Sequence, residues 1–533
     1  MKTLWYGGTI YTMEQKFETV EAIVTEDGKI VDGGKVNFLE SYYQIEKKIN
    51  LLNATVYPGF VDSHVHLIGH GEKLSRIDLS HMTSAIQVLE ALQKKVSEAK
   101  KGEWIIGEGW NENQWIDRKI FHRKELDELS KDHPIVLKRI CRHSLIGNSK
   151  ALQIASIDSS TPNPEGGAIE KDQQGMPTGL LFDQAQEKVL SVIPSPSKEE
   201  LKIYLNRAIE DAVRKGLTGV HTEDLSYYGS LENTVHAFQE VITEQQFRCH
   251  LLVHHHVVKS FQNKKYAQLQ SNFLDFGAMK LFADGALGGR TALLSKPYND
   301  APHTNGIAIH SDEELYDLVR LARSYGMEVA VHTIGDLAFE KMLNVFEQLP
   351  PKPDQHDRLI HGQILNPALI NRASRMKIII DIQPSFVASD FPWVIERIGK
   401  ERIQSCYAWK SLLNKGVTCA GGSDAPIESI NPLVGIQSAV CRTSMYEKDK
   451  ECFFPEQCLS VFEAISLYTK GSAKAIHKED KRGMIKKGFD ADFTILEKDL
   501  FKVDPHKIGE VKVSKTVVGG KVVYDNDNIK RGV

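Results

Sequence analysis

The regular alternation of apolar strands with amphipathic helices constrains the fold of this chain more than any other feature. From Ser197 onward, short apolar runs alternate with segments whose apolar residues recur at helical spacing. The predicted strands after the first cover residues 220–222, 249–253, 278–282, 328–331, 358–360, 377–382 and 416–420. About eight strand-and-helix units predict an α/β fold built on a closed TIM-like (β/α)8 barrel. An open doubly wound sheet is the alternative, but no Gly-x-Gly-x-x-Gly turn supports it.

Composition limits the classes of protein to which the chain can belong. Its 533 residues exceed one ordinary core, so more than one domain is expected. The net charge of −4 gives no reason to expect nucleic acid or an anionic membrane as a partner, whereas assembly into a homo-oligomer is left open. The seven cysteines contain no Cys-x-x-Cys pair and no regular spacing, which favours a reducing compartment. With neither a signal peptide nor a long apolar run, we predict a cytoplasmic protein.

Both ends of the chain carry hairpin signals. Glycine turns at Gly7-Gly8 and Asp27-Gly28 separate β-forming runs near the start, and Gly519-Gly520 does the same near the end. Neither end has enough apolar residues for its own core. We therefore predict one composite β domain from residues 1–54 and 480–533, around a barrel of residues 55–479. Two separate hairpins are the alternative, which would leave apolar edges exposed.

Residues 70–195 do not follow the barrel rhythm. Apolar runs at 104–110 and 134–139, with later turns at Gly166-Gly167 and Gly175, predict an α/β subdomain inserted after the first barrel strand. Loops that follow barrel strands lie on the face where active sites form, so we expect the insert to wall or cover a site.

The first barrel strand contains His64-Val65-His66. Side chains alternate along an extended segment, so His64 and His66 point the same way. Two imidazoles on one face can hold one metal ion. Two histidines that are neighbours only by chance are the alternative, and the motif alone does not decide between them.

Four further polar residues lie at the ends of predicted barrel strands: Lys280, His332, His361 and Asp424. Each alone has a structural explanation, such as a hydrogen-bonded histidine or an aspartate in a turn. Because the carboxyl ends of barrel strands converge, we expect these side chains to meet His64 and His66.

These motifs resemble those of the metal-dependent amidohydrolase superfamily, in particular the long-chain branch that includes N-substituted formamide deformylase. The resemblance extends over nearly the whole length, through segments 58–66, 280–288, 331–336 and 422–426 and the tail from Gly488 to Val523. It also implies the composite β domain. Ile360 stands where the family commonly has a glutamate.

The resemblance implies a site with one or two divalent ions, Zn²⁺ being the expected metal. His64 and His66 would bind one ion and His332 and His361 a second. Lys280, carboxylated on its amine, would bridge them, and Asp424 would bind metal and shuttle the proton. The implied activity is hydrolysis of a C–N amide-type bond of a small molecule. A cyclic-amidine deaminase and an inactive binding or assembly relative are the alternatives.

Other residues are weaker candidates for the site. Arg290 is placed to bind a substrate carboxylate or to fix its own loop by an ion pair. His143 and Trp110, both in the insert, are candidates for the pocket lining, with core packing the alternative for Trp110. In the run 254–256, three consecutive histidines would alternate between the faces of a strand, so we do not expect all three to share an ion.

Overall fold

The computed structural model describes residues 1–112, 115, 118–139, 144–391, 393–444 and 451–526. The chain divides into two compact units, one formed by Met1–His70 with Lys198–Val533 and the other by Gly71–Ser197.

The strands in chain order are β1 (Thr3–Tyr11), β2 (Thr19–Glu26), β3 (Lys29–Gly34), β4 (Lys47–Asn50), β5 (Thr55–Pro58), β6 (Phe60–Val65), β7 (Ile77–Asp78), β8 (Ile105–Trp110), β9 (Ile135–Arg139), β10 (Ser144–Gly147), β11 (Gly167–Lys171), β12 (Pro177–Asp183), β13 (Leu217–Thr222), β14 (Arg248–His254), β15 (Leu274–Phe282), β16 (Val329–Thr333), β17 (Asp357–His361), β18 (Ile378–Ile382), β19 (Thr418–Gly421), β20 (Phe493–Leu496), β21 (Val513–Val518) and β22 (Lys521–Asp525).

The α-helices are α1 (Val36–Tyr42), α2 (Leu67–Ser75), α3 (Ala85–Glu98), α4 (Arg123–Leu129), α5 (Ser149–Ile154), α6 (Glu187–Leu190), α7 (Lys198–Arg214), α8 (Leu231–Gln245), α9 (Val258–Asn263), α10 (Asp312–Ser324), α11 (Asp336–Gln348), α12 (Pro367–Ala373), α13 (Ser385–Asp390), α14 (Trp393–Ile398), α15 (Trp409–Asn414), α16 (Pro432–Cys441), α17 (Val461–Ser466) and α18 (Ser472–Lys474). In the described part of the chain, no helix is both long and apolar enough to cross a membrane.

A parallel barrel sheet forms the centre of the larger unit. Its strands follow chain order, from β6 through β13 to β19, and helices lie between successive strands. α10 begins after a capping box, in which the Ser311 hydroxyl accepts from the Glu314 N–H and the Glu314 side chain accepts from the Ser311 N–H. The predicted (β/α)8 barrel is confirmed.

The first and last barrel strands meet through the segments that carry the candidate ligands. The Asp424 N–H donates to the His64 carbonyl over 2.7 Å, and the His66 N–H donates to the Ala425 carbonyl over 2.7 Å. The buried Asp62 carboxylate accepts from the backbone of both His64 and Ser423. The barrel is therefore closed by bonds that also fix the backbone of His64, His66 and Asp424.

Strands from both ends of the chain share one sheet. β5 pairs with β1 on one side and with β20 on the other, and β21 and β22 follow β20. Arg248, at the start of β14, forms a buried bidentate ion pair with Asp492, with N–O distances of 2.9 and 3.0 Å. Because Asp492 directly precedes β20, this planar pairing fixes the start of β20 against the barrel strand β14.

The hairpin predicted at Gly7-Gly8 is wrong. β1 runs through both glycines, and its two halves pair in parallel with β4 and with β5. Gly7 has a φ of 80°, and a Cβ on Gly8 would lie 2.2 Å from the Ala54 carbonyl oxygen. The glycines thus permit a bulge and a close backbone approach instead of a turn. The turns at Asp27-Gly28 and Gly519-Gly520 are confirmed.

The smaller unit has its own sheet, in the order β11-β12-β10-β9-β8-β7. β7, β8 and β9 are parallel, whereas β10, β11 and β12 pair antiparallel. Trp110 and Phe121 lie in a core cluster together with the buried face of α3.

Candidate metal centre

The six predicted site residues all lie at the carboxyl ends of barrel strands. His64, Lys280, His361 and Asp424 are buried, and His66 and His332 are half-buried. The strand that carries each residue determines where its side chain lies. The strands β6, β15, β16, β17 and β19 run in parallel, so their carboxyl ends lie at one rim of the barrel. The structure therefore brings all six together.

His64, His66 and Asp424 form one half of the site. The Nε2 atoms of both histidines lie 3.4 Å from Asp424 Oδ1. Burial lowers the pKa of His66, but the adjacent Asp424 carboxylate outweighs burial and raises that pKa to about 9. Burial and the nearby Lys280 hold the pKa of His64 well below its usual range. At neutral pH the Asp424 carboxylate thus faces one imidazole that holds a proton, that of His66, and one that stays neutral, that of His64.

His332 and His361 form the other half. His332 Nε2 lies 3.0 Å from the Gly285 carbonyl oxygen, and His361 Nδ1 lies 2.7 Å from the side-chain oxygen of Gln383. These acceptors assign the ring protons to those two nitrogens. The other two nitrogens, His332 Nδ1 and His361 Nε2, then face each other at 2.9 Å with a lone pair each.

Such outer hydrogen bonds are characteristic of metal-binding histidines, since they fix the tautomer and aim the second nitrogen at the ion. His66 shows the same pattern, with Nδ1 lying 2.8 Å from the Glu223 carbonyl oxygen. Ligand atoms of His64, His361 and Asp424 all lie within 4.8 Å of one another.

Two of these residues have a strained backbone. His361 has a φ of 80° and Asp424 a φ of 59°, both in the left-handed region. Non-glycine residues in this region persist only where the surrounding structure holds them, and they concentrate at functional sites. With these backbone conformations, a ligand atom of His361 and one of Asp424 lie within 4.8 Å of each other.

Lys280 is fully buried, and within the described residues its Nζ has no hydrogen-bond partner. It lies 4.3 Å from the centre of the Phe282 ring. Burial lowers its pKa to about 8, although Glu223, Asp424 and Asp381 oppose the shift. Burying an amine without a hydrogen-bond partner costs free energy. A group that bonds to Lys280 Nζ would reduce this cost.

Glu223 was not predicted from the sequence. It follows β13 directly, and its fully buried carboxylate accepts from the Tyr227 hydroxyl over 2.6 Å. Its Oε1 has no hydrogen-bond partner among the described residues, and Oε2 lies 3.8 Å from His66 Nδ1. The strand-end rule that identified His332 and His361 would also have found Glu223.

Asp284 and Gln383 also support the site. The Asp284 carboxylate accepts from the backbone N–H groups of Leu293, Ile334 and Gly335 and lies 3.8 Å from His332 Nε2. Gln383 follows β18 and holds the His361 ring. Both residues come just after a predicted strand, which was the available sequence signal.

The weaker candidates lie in different surroundings. Arg290 forms an ion pair with Asp300, with N–O distances of 2.8 and 3.2 Å, and Asp300 also pairs with Arg397. Arg290 thus forms the ion pair that fixes its own loop, which is the alternative to a role in binding a substrate carboxylate. Trp110 is 1% exposed and packs against Trp115 and Phe121. His143 lies outside the described residues.

The reasoning that kept residues 254–256 apart is wrong. β14 ends at His254, and His255 and His256 lie in the turn that follows. Because the chain bends there, a ligand atom from each of the three rings lies within 4.8 Å of the other two. Strand alternation therefore does not separate them.

The sequence of the chain matches a known family. The amidohydrolase family matches residues 47–524. The chain is also 51% identical to the Bacillus subtilis (strain 168) protein named "Putative amidohydrolase YtcJ", over 98% of this chain and 100% of that protein. This chain belongs to the amidohydrolase family. Family membership identifies it as a hydrolase.

Two further comparisons agree with this membership. An uncharacterized metal-dependent hydrolase from Pyrococcus horikoshii OT3 has a similar structure, with a TM-score of 0.79, 29% identity, and coverage of 95% of this chain and 99% of that one. The chain is also 24% identical to N-substituted formamide deformylase of Arthrobacter pascens, over 97% of each chain.

Proposed function

We propose that this hydrolase cleaves a C–N amide-type bond of a small molecule with the help of one or two divalent metal ions, Zn²⁺ first among them. The observation that carries the proposal is the donor set at the barrel rim. His66, His332 and His361 each direct a ring nitrogen inward, while Asp424 Oδ1 is buried with no hydrogen bond within the described chain. Imidazole and carboxylate donors suit Zn²⁺.

The two halves of the site suggest how the residues share the ions. His64, His66 and Asp424 would hold one ion, and His332 and His361 would hold the other. A bound divalent ion lowers the pKa of a water molecule from 15.7 towards about 7 and polarises a carbonyl group.

Asp424 is the residue best placed to move the proton. Burial raises the pKa of Asp424, but the neighbouring His66, His361 and Lys280 outweigh burial and hold that pKa below its usual range, so the residue is a carboxylate at neutral pH. It would take a proton from the water whose oxygen bonds to the carbonyl carbon. It would then give that proton to the nitrogen as the C–N bond breaks, which yields a carboxylic acid and an amine.

Lys280 would be carboxylated. Its lowered pKa leaves a useful fraction of neutral amine near pH 8, and only a neutral amine attacks carbon dioxide. A nitrogen–carbon bond forms, one nitrogen proton leaves to a base, and the product is an anionic carbamate. The carbamate would offer two anionic oxygens to the metal ions, in place of an ammonium group that would repel them.

The amide-type substrate is proposed partly by analogy with the relative named N-substituted formamide deformylase. Since specificity lies in loops and insertions rather than in the barrel, the acyl and amine groups are left open.

The test is a hydrolysis screen of the full chain loaded with Zn²⁺ in bicarbonate. The panel contains N-substituted formamides, larger acyl amides and cyclic amidines, with separate detection of released amine and released ammonia. Amine release from amides, slowed by about a hundredfold or more in Asp424→Asn, is the expected result. Ammonia from cyclic amidines would favour a deaminase, and a metal-free protein without turnover would favour a binding or assembly role.

A further inference from the structure

A second group of metal-ligand side chains lies at the opposite end of the barrel from the candidate metal centre. Glu328 directly precedes β16 and His356 directly precedes β17, whereas His332 and His361 lie at the carboxyl ends of the same strands. At about 3.3 Å per residue, a five-residue strand separates the two groups by roughly 15 Å. The two groups of side chains are therefore too far apart to bind the same ion.

The third member is His477, which follows α18 and has a φ of 54°. Its Nε2 lies 2.7 Å from Glu328 Oε1, and its ring centre lies 4.1 Å from that of His356. One ligand atom from each of the three residues lies within 4.8 Å of the other two.

His356 shows the orientation expected of a metal ligand. It hydrogen-bonds to the Ala475 backbone, while its Nε2 is buried without a partner in the described part of the chain. The bond to Ala475 therefore uses Nδ1–H and leaves the Nε2 lone pair for an ion.

A simple ion pair explains only part of this arrangement. Glu328 and protonated His477 satisfy each other, which accounts for the raised pKa of His477. That pair leaves the buried His356 Nε2 without a hydrogen-bond partner in the described part of the chain, which is unfavourable for a polar atom. A cation that replaces the proton on His477 satisfies all three side chains.

We propose that Glu328, His356 and His477 bind one Zn²⁺ or similar transition-metal ion, with water in the remaining position. Two imidazoles and a carboxylate are a donor set that such ions accept. The ligands come from the starts of two barrel strands and from the segment after α18. The ion would thus fasten that segment to the amino-terminal face of the barrel, where residues serve stability rather than catalysis.

The test compares metal content in the full chain after Zn²⁺ loading and gel filtration. His477→Ala is the main variant because this side chain is 39% exposed and its loss should not disturb the core. His356→Gln is the second variant, and His303→Ala, at an exposed histidine elsewhere, is the matched control. Wild type and His303→Ala should hold one metal equivalent more than His477→Ala and His356→Gln.

A second measurement separates this site from the candidate metal centre. Zn²⁺ should raise the thermal midpoint of His64→Ala, which keeps the second site, and raise it less in His64→Ala/His477→Ala. Hydrolysis should be unchanged in His477→Ala. Equal metal content in wild type and His477→Ala would overturn the second site and leave the proposed function intact. Loss of metal in His64→Ala but not in His477→Ala would also overturn the second site and leave the proposed function intact.

Discussion

Asp424→Asn isolates the proton-transfer role from the shape of the site. Asparagine has nearly the same size as aspartate and tolerates the left-handed region, so the φ of 59° adds no strain. The backbone bond from residue 424 to the His64 carbonyl is also kept. Alanine would be a poorer choice, because the left-handed conformation costs it roughly 1–2 kcal/mol.

The expected loss follows from what the carboxylate does. Loss of a general base slows turnover about 10²–10⁴-fold, which corresponds to roughly 2.7–5.4 kcal/mol at 1.36 kcal/mol per factor of ten. In the wild-type chain, Asp424 Oδ1 lies 3.4 Å from both His64 and His66 and has no hydrogen bond among the described residues, so it is free to accept a proton. The substitution replaces this carboxylate with an amide, which removes the whole proton-accepting capacity.

The assay is kcat at saturating substrate, normalised to metal content measured on the same preparation. Asp27→Asn is the matched control, because Asp27 is also left-handed, with a φ of 49°, but lies exposed in the β2–β3 turn. A kcat for Asp424→Asn within tenfold of wild type, at equal metal content, would refute the general-base role.

Three further predictions follow from the same geometry. His64→Ala and His332→Ala should each lose metal by elemental analysis while circular dichroism shows a folded protein; full metal content in both would contradict the site. Lys280→Ala should lose metal and activity and recover part of both with short carboxylic acids, whereas Lys280→Arg should not recover, since guanidinium stays charged; equal rescue of both variants would refute the carbamate. Gly422→Ala should lower stability by about 1–3 kcal/mol in denaturant unfolding, because its Cβ would lie 2.6 Å from the His64 nitrogen, while Gly34→Ala, with open space at its Cβ, should be neutral. Equal stability of these two glycine variants would contradict a tight barrel closure.

The barrel was predictable because its signals are local. A buried strand followed by a polar residue can be recognised in one sequence, and parallel strands bring such residues to one rim. His332, His361 and Asp424 were found in this way. The composite sheet was also predictable, since neither end of the chain carries enough apolar residues to fold alone.

What escaped prediction depends on where the backbone bends. A glycine pair between β-forming runs indicates a turn, yet contacts of Gly8 with the Ala54 carbonyl keep β1 continuous. The run 254–256 was treated as extended, but β14 ends at its first residue. In the same way, the sequence contains Glu328, His356 and His477, but only the folded chain brings them together.

The composite sheet has a consequence for synthesis of the protein on the ribosome. β5 is complete once Pro58 has emerged, but its partner β20 begins at Phe493, about 430 residues later. At roughly 5–20 residues per second, this leaves the free edge of β5 waiting for about 20–90 s. An apolar edge that waits so long can pair with other nascent chains. We therefore expect the yield of folded protein to depend on translation speed and on chaperones that cover β1 to β5 until the last strands arrive.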